Sequence, residues 1–198
     1  SIKTFWMIYL TGKLVGNQGL VEFAEINASR LLEKAFLPDS GSWARAPKSD
    51  GTVDENKEWW IYAELDQMTA TLSLDNPKYV QDYLAKTSRW WMAHMVDKEH
   101  KGVWHWLDFP SLTPKYPKVH LWKNAYHTFE HALIGYITAQ AFYKKQVVLY
   151  YALVNDINHK SLQPYYFTGE IVTTDPVPHW CLEPFRLLKV TFKNIGTK

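Results

Sequence analysis

Trp122-Lys123-Asn124-Ala125-Tyr126-His127-Thr128-Phe129-Glu130-His131 is the stretch on which the reading of this chain turns. It reads as the opening of a helix that runs to about Lys144. Positions i, i+3 and i+4 share a helix face, so His127, Glu130 and His131 are expected to point one way. Trp122 and Tyr126 beside them offer flat apolar surfaces with polar edges. Acid/base groups next to aromatic walls suit a site for a sugar-like substrate. The same residues also spell H-x-x-E-H, in which two histidines and a glutamate can serve a zinc centre. Both readings stay open at this level.

Composition narrows the field. A chain of 198 residues with 46% apolar residues can build a real core. Its 22 basic and 20 acidic residues give a net charge of +2, without a long basic block, so nucleic-acid binding is not expected. No apolar run spans a bilayer, and no membrane association is expected. The single Cys181 cannot close an internal disulfide, which fits a reducing, cytoplasmic setting. Ten Trp, twelve Tyr and nine Phe are the outlier. They fit a large aromatic core, and equally a surface on which sugar C–H faces stack.

Along the chain, helical spacing predicts helices over 2–14, 20–36, 57–74 and 77–96. Residues 39–55 read as an irregular loop and 103–108 as a short strand. After Lys144 the pattern changes: 147–154 and 165–173 are β-branched and aromatic, and 188–193 alternate with period two. The expected organisation is a helical portion over 1–146 and a β-rich extension over 147–198.

Three blocks resemble the N-acylglucosamine 2-epimerase superfamily, which includes cellobiose 2-epimerases and aldose–ketose isomerases. Lys57-Glu58-Trp59-Trp60-Ile61-Tyr62-Ala63-Glu64 resembles its K-x-W-W-x-x-x-E helix start. Asp97, Gly102 and Trp104 resemble its D…G-x-W turn and strand. Trp122 through His127 resemble its W-K-x-x-Y-H block. Ile2-Lys3-Thr4-Phe5-Trp6 is similar to the part of a G-H-x-I-E-x-x-W segment just after its Gly-His. The resemblance implies a mostly α fold of helical hairpins, the C-terminal half of an (α/α)6 barrel or toroid, with a short β-rich end. The missing N-terminal half, or a second copy of the chain, would cover its open inner face.

The roles implied by the resemblance fall residue by residue. His127 is a catalytic acid/base, and Glu64 orients a histidine or the substrate hydroxyls. Trp59, Trp60 and Trp122 wall a sugar subsite with Tyr126, and Lys123 stabilises developing enediolate charge. The second acid/base histidine of the family falls before Ser1. Epimerisation or isomerisation of a mono- or disaccharide by these groups needs no metal or organic cofactor. The family has Glu where Lys3 stands and Arg where Glu130 stands. Both signs are reversed, and the expectation is that Lys3 and Glu130 pair with each other. Glu130 and His131 are counted with the substrate-binding set.

Plainer readings stand beside these. His127 can be a hydrogen-bonded core histidine, Trp59 and Trp60 can be core residues, and His131 can be a supporting partner of His127 or simple packing. A non-catalytic carbohydrate-binding or assembly module of the same fold is an alternative function. A zinc hydrolase on His127, Glu130 and His131 would need a third ligand downstream, for which Glu170 and Glu183 are the acidic candidates. His105 and His120 are assigned no role.

Overall fold

The computed structural model describes residues 1–154, 161–178 and 184–197. Cys181 and Glu183 lie outside the described residues. Two compact units are present, Ser1–Gly135 and Tyr136–Lys198.

The first unit is helical with short strands inserted. Helix α1 (Ile2–Val15) buries Ile2, Trp6, Tyr9 and Gly12, one residue per turn. Gly16 ends it in the left-handed conformation at φ 69°, returning its N–H to the carbonyls of Gly12 and Lys13. Asn17 then caps α2 (Gln18–Ala35) by accepting from the Leu20 amide at 3.2 Å. The buried stripe of α2 is Val21, Ala24, Ala28 and Leu32, mostly small side chains that let α1 come close. A methyl group added at Gly12 would sit 2.9 Å from Val21 Cγ2, so only glycine permits that approach.

Helix α3 (Trp59–Ser73) is the centre of this unit, with 13 of its 15 residues buried. A helix enclosed on all sides must satisfy its own polar groups. The hydroxyls of Thr69, Thr71 and Ser73 do so by donating to the carbonyls of Leu65, Gln67 and Ala70. Trp6, Tyr9, Trp43, Tyr62, Trp90 and Trp91 belong to the buried cluster around it. Part of the aromatic excess is therefore structural, and part of it, including Tyr116, Trp122, Tyr126 and Phe129, is exposed.

Segments read as loop or as continuous helix resolve more finely. Residues 36–54 hold two small antiparallel pairs, β1 (Phe36–Leu37) with β2 (Ser42–Trp43) and β3 (Ala46–Pro47) with β4 (Val53–Asp54), so that three of the four strands fall in the stretch read as loop. Lys57 and Glu58 form strand β5 rather than the first turn of α3, pairing with β6 (Trp106–Asp108), which also pairs with β7 (Thr113–Lys115). The helix expected over 77–96 is a regular stretch, α4 (Ala85–Trp90), flanked by π turns at Val80–Leu84 and Trp91–Met95. Trp122 to Ala125 are not helical. Asn124 accepts from the Tyr126 amide at 2.9 Å, and α5 (Tyr126–Phe142) starts there.

The second unit contains the end of α5 and a three-stranded antiparallel sheet in the order β8 (Val147–Leu153), β10 (Arg186–Gly196), β9 (Thr168–Val177). Leu188, Val190 and Phe192 of the central strand are buried as the period-two pattern required, but Thr191 is buried as well, at a register shift between Thr191 and Phe192. Among the described residues, no helix is long and apolar enough to cross a membrane.

Candidate active site

The site grows out of α3. Glu64 lies one turn after Trp60 and is 1% exposed, too deep to be left uncompensated. Two donors from α1 meet it: Lys3 Nζ at 3.0 Å on Oε1 and Trp6 Nε1 at 2.6 Å on Oε2. The salt bridge of Lys3 thus runs to Glu64, correcting the expected Lys3–Glu130 pair. Glu130 accepts instead from the Tyr126 hydroxyl, one turn back on α5, at 3.0 Å. Charge reversal at two positions suggested one pair. The third acid, Glu64, takes the lysine because its burial makes an unpaired charge there most costly.

His127 enters from the first turn of α5. Its Nδ1 lies 3.3 Å from Glu64 Oε1 and 4.0 Å from Glu130 Oε2. That nitrogen is buried and makes no hydrogen bond. Two negative oxygens on the Nδ1 side favour the tautomer with hydrogen there, leaving the Nε2 lone pair as a base. Burial pushes the imidazole below its usual value. Lys3 pushes the same way, while Glu64 and Glu130 partly oppose them. His127 is therefore neutral, and able to take a proton, at pH 7.

Aromatic rings frame this imidazole. Tyr126 stands edge-on at 5.0 Å, Trp60 tilts across it at 6.1 Å, and Trp59 meets it edge-on at 6.4 Å. Trp60 is fixed by its Nε1–H to Glu58 at 2.9 Å. Trp59 is 5% exposed and its Nε1 makes no hydrogen bond, so it backs the site from within the core. Trp122 is the opposite, 81% exposed. Lys123 is buried with its ammonium 5.4 Å above the Trp59 ring, and burial with neighbouring Lys118 lowers its affinity for a proton. A cavity of about 440 Å³ between α1, α2 and residues 44–53 shares Lys3, Trp60 and Glu64 with the site. Its remaining walls are mainly apolar, including Leu31, Pro47 and Ile61.

His131 does not join this group. Its Nε2 lies 2.7 Å from Asp66 Oδ2 and its ring packs 4.3 Å from Trp91. The three residues of H-x-x-E-H are thus not one ligand set. Among the described residues, the group whose ligand atoms all fall within 4.8 Å of one another is Glu64, His127 and Glu130, and Lys3 already brings a positive charge into it. Glu170, a third-ligand candidate, is tied to Lys193 and Asn194 in the second unit.

Sequence reasoning passed over several residues that matter here. Trp6 was seen only as a motif residue, yet it holds Glu64. Asp66 carried no motif. Its Oδ1 accepts from Trp43 Nε1 at 2.8 Å and Thr87 Oγ1 at 2.6 Å while its Oδ2 holds His131. Its one signal was an acid placed two residues after Glu64 on a helix without a solvent face.

No family model matches the chain, and no curated protein matches it. Solved structures do. Cellobiose 2-epimerase from Spirochaeta thermophila DSM 6192 is similar with a TM-score of 0.60 and 23% identity, over 69% of this chain and 36% of that one. Cellobiose 2-epimerase from Bacillus thermoamylovorans B4167 gives 0.57 and 19%, over 67% and 35%. A D-mannose isomerase gives 0.52 and 20%, over 69% and 36%. At these identities the likeness establishes a shared, sugar-epimerase-like fold, and the chain spans little more than a third of each of those structures. It agrees with the superfamily that the three sequence blocks resemble.

Proposed function

We propose that this chain carries one side of the active site of a sugar 2-epimerase or aldose–ketose isomerase, built as part of an (α/α)6 barrel, with His127 as the acid/base. The observation that carries the reading is the setting of His127. One ring nitrogen is buried against two carboxylates, and burial keeps the imidazole neutral.

The chemistry follows from the carbonyl of an open-chain sugar. The proton on C2 is acidic because its removal gives an enediolate. Nε2 of His127 takes that proton, and Glu64 with Glu130 stabilise the imidazolium that results. Lys3, held by Glu64, and Lys123 are the cations at hand for the enediolate oxygens. Trp60, Tyr126 and Trp122 bind the sugar faces. Returning the proton to C1 from the same histidine, with the hydroxyl hydrogen on O2 passing to O1, yields the ketose. Returning it to C2 on the opposite face yields the epimer and needs a second acid. By the resemblance, that acid is a histidine just before Ser1.

Deuterium incorporation tests this directly. In deuterated water with D-mannose, D-glucose, N-acetylglucosamine or cellobiose, the reading expects loss of the C2 proton signal, dependent on His127. Exchange accompanied by ketose alone points to His127 acting singly, and exchange with epimer points to a second acid/base. Exchange undiminished in His127→Gln sinks the assignment.

A further inference from the structure

His105, just before β6, and His120, in the loop before α5, are fifteen residues apart, yet their rings stack at 4.7 Å and His120 Nε2 lies 2.9 Å from His105 Nδ1. The Trp122 amide donates to His120 Nδ1 at 3.3 Å, and the His120 amide donates to the Lys123 carbonyl at 3.3 Å. The first of these bonds fixes the protons. A nitrogen that accepts from a backbone N–H carries no hydrogen, so neutral His120 has its hydrogen on Nε2. It gives that hydrogen to His105 Nδ1, which places the hydrogen of His105 on its own Nε2. Neither ring then keeps an unused lone pair.

We propose that His105 and His120 are positioning residues for the site described above, a tautomer-locked pair that holds the Trp122–Lys123 loop in place, and that the uptake of one proton by the pair releases it. The proposal rests on the reading of Trp122 and Lys123 as substrate residues. A proton arriving on His120 Nδ1 displaces the Trp122 amide. One arriving on His105 Nδ1 breaks the bond between the rings. Either way the loop loses an anchor.

The surroundings set the direction. His105 is held below its usual value by burial first, then by His120 and Lys123, against an opposing pull from Glu58 on β5. That pull is shared, because Glu58 also faces Arg45 at 3.5 Å and accepts from Trp60. Tyr116 lies against His105 at 5.1 Å, and Trp59 covers both rings edge-on. His105 thus resists taking up a proton, which favours the neutral, locked state, and release comes on acidification.

Long-range proton–nitrogen NMR of the full chain reads the tautomers without any need for activity. At pH 7.5 we expect hydrogen on Nε2 of both residues, and a Trp122 amide shift that moves with the imidazoles on acidification. In His120→Phe, which keeps a flat ring, that amide shift should be independent of pH over the same range. His105→Phe serves as a second variant should the first fail to fold. With D-mannose as the probe in the C2 exchange assay, KM should rise about five-fold as the pair takes up its proton, the loss of one modest hydrogen bond. The acid limb of kcat should follow His127 instead. In His120→Phe, KM should be raised at every pH. Hydrogen on Nδ1 of His120 at pH 7.5, or a Trp122 amide indifferent to the titration, overturns the proposal. Absence of exchange with every sugar overturns the proposed function, while the NMR result still decides the pair.

Discussion

His127 and His131 stand one turn apart on the same helix, and their surroundings could hardly differ more. His131 meets a carboxylate whose other oxygen already has two donors, so its position is fully bonded. His127 meets two carboxylates and makes no hydrogen bond with its buried nitrogen. A satisfied buried polar group stabilises and orients. An unsatisfied one costs stability and is kept where chemistry uses it. On the proposed function, the two histidines of one motif divide into a bolt and a tool.

The largest expected effect strikes the tool. His127→Gln should lower sugar C2 exchange by about 10²–10⁴-fold, the usual worth of a positioned acid/base. Thermal unfolding should change little, because no hydrogen bond of the buried nitrogen is lost. A large fall in melting temperature would make His127 a second bolt. Asp66→Ala attacks the other side, removing the acceptor of Trp43 Nε1 and His131 Nε2 and leaving Thr87 Oγ1 only the Leu84 carbonyl at 3.4 Å. A loss of about 3 kcal/mol in unfolding free energy is expected, read by urea denaturation, and a change within error would dissolve the contrast.

Lys57 falls between the two. It is wholly buried, donates to the Trp43 carbonyl at 2.8 Å and lies over the rings of Phe109 and Trp90. Burial brings its pKa from 10.5 to about 7. The unfolded chain holds that proton up to its ordinary value, so between these limits unfolding takes up a proton and stability rises with pH. A gain of a few kcal/mol across the window is expected, with about 5 kcal/mol as the upper bound for one proton over that span. Lys57→Met should abolish it, and a flat profile in the parent would show that the amine keeps its charge. Lys3→Met is read in the position of the pH profile. Lys3 helps hold His127 below its usual value, so its removal should move the acid limb of the exchange rate to higher pH. A downward move would contradict that sign.

Much of this was legible in the residues. The helices showed their spacing, the strand over 188–193 showed its alternation, and the W-K-x-x-Y-H block led to His127. What escaped detection has physical reasons. Lys57 and Glu58 look helical because they adjoin an unbroken helical run, but their ladder partners lie about fifty residues on, in β6. The start of α5 at Tyr126 was hidden by reading Trp122 to Ala125 as helix, although Asn124 carries the capping side chain that marks it. The π turns around α4 leave no pattern. The meeting of His105 with His120 is a matter of how the segment after β7 folds back, which period and propensity do not encode.

Helix α3 carries a consequence for the chain's behaviour in time. Its hydroxyls bond to its own carbonyls and nearly every residue is enclosed. No small excursion can bring water to its amides, so their deuterium uptake should report complete opening of the unit and nothing less. Glu64 and Asp66 sit on this slowest-exchanging segment. The proposed site thus has its fixed reference on the slowest clock in the unit.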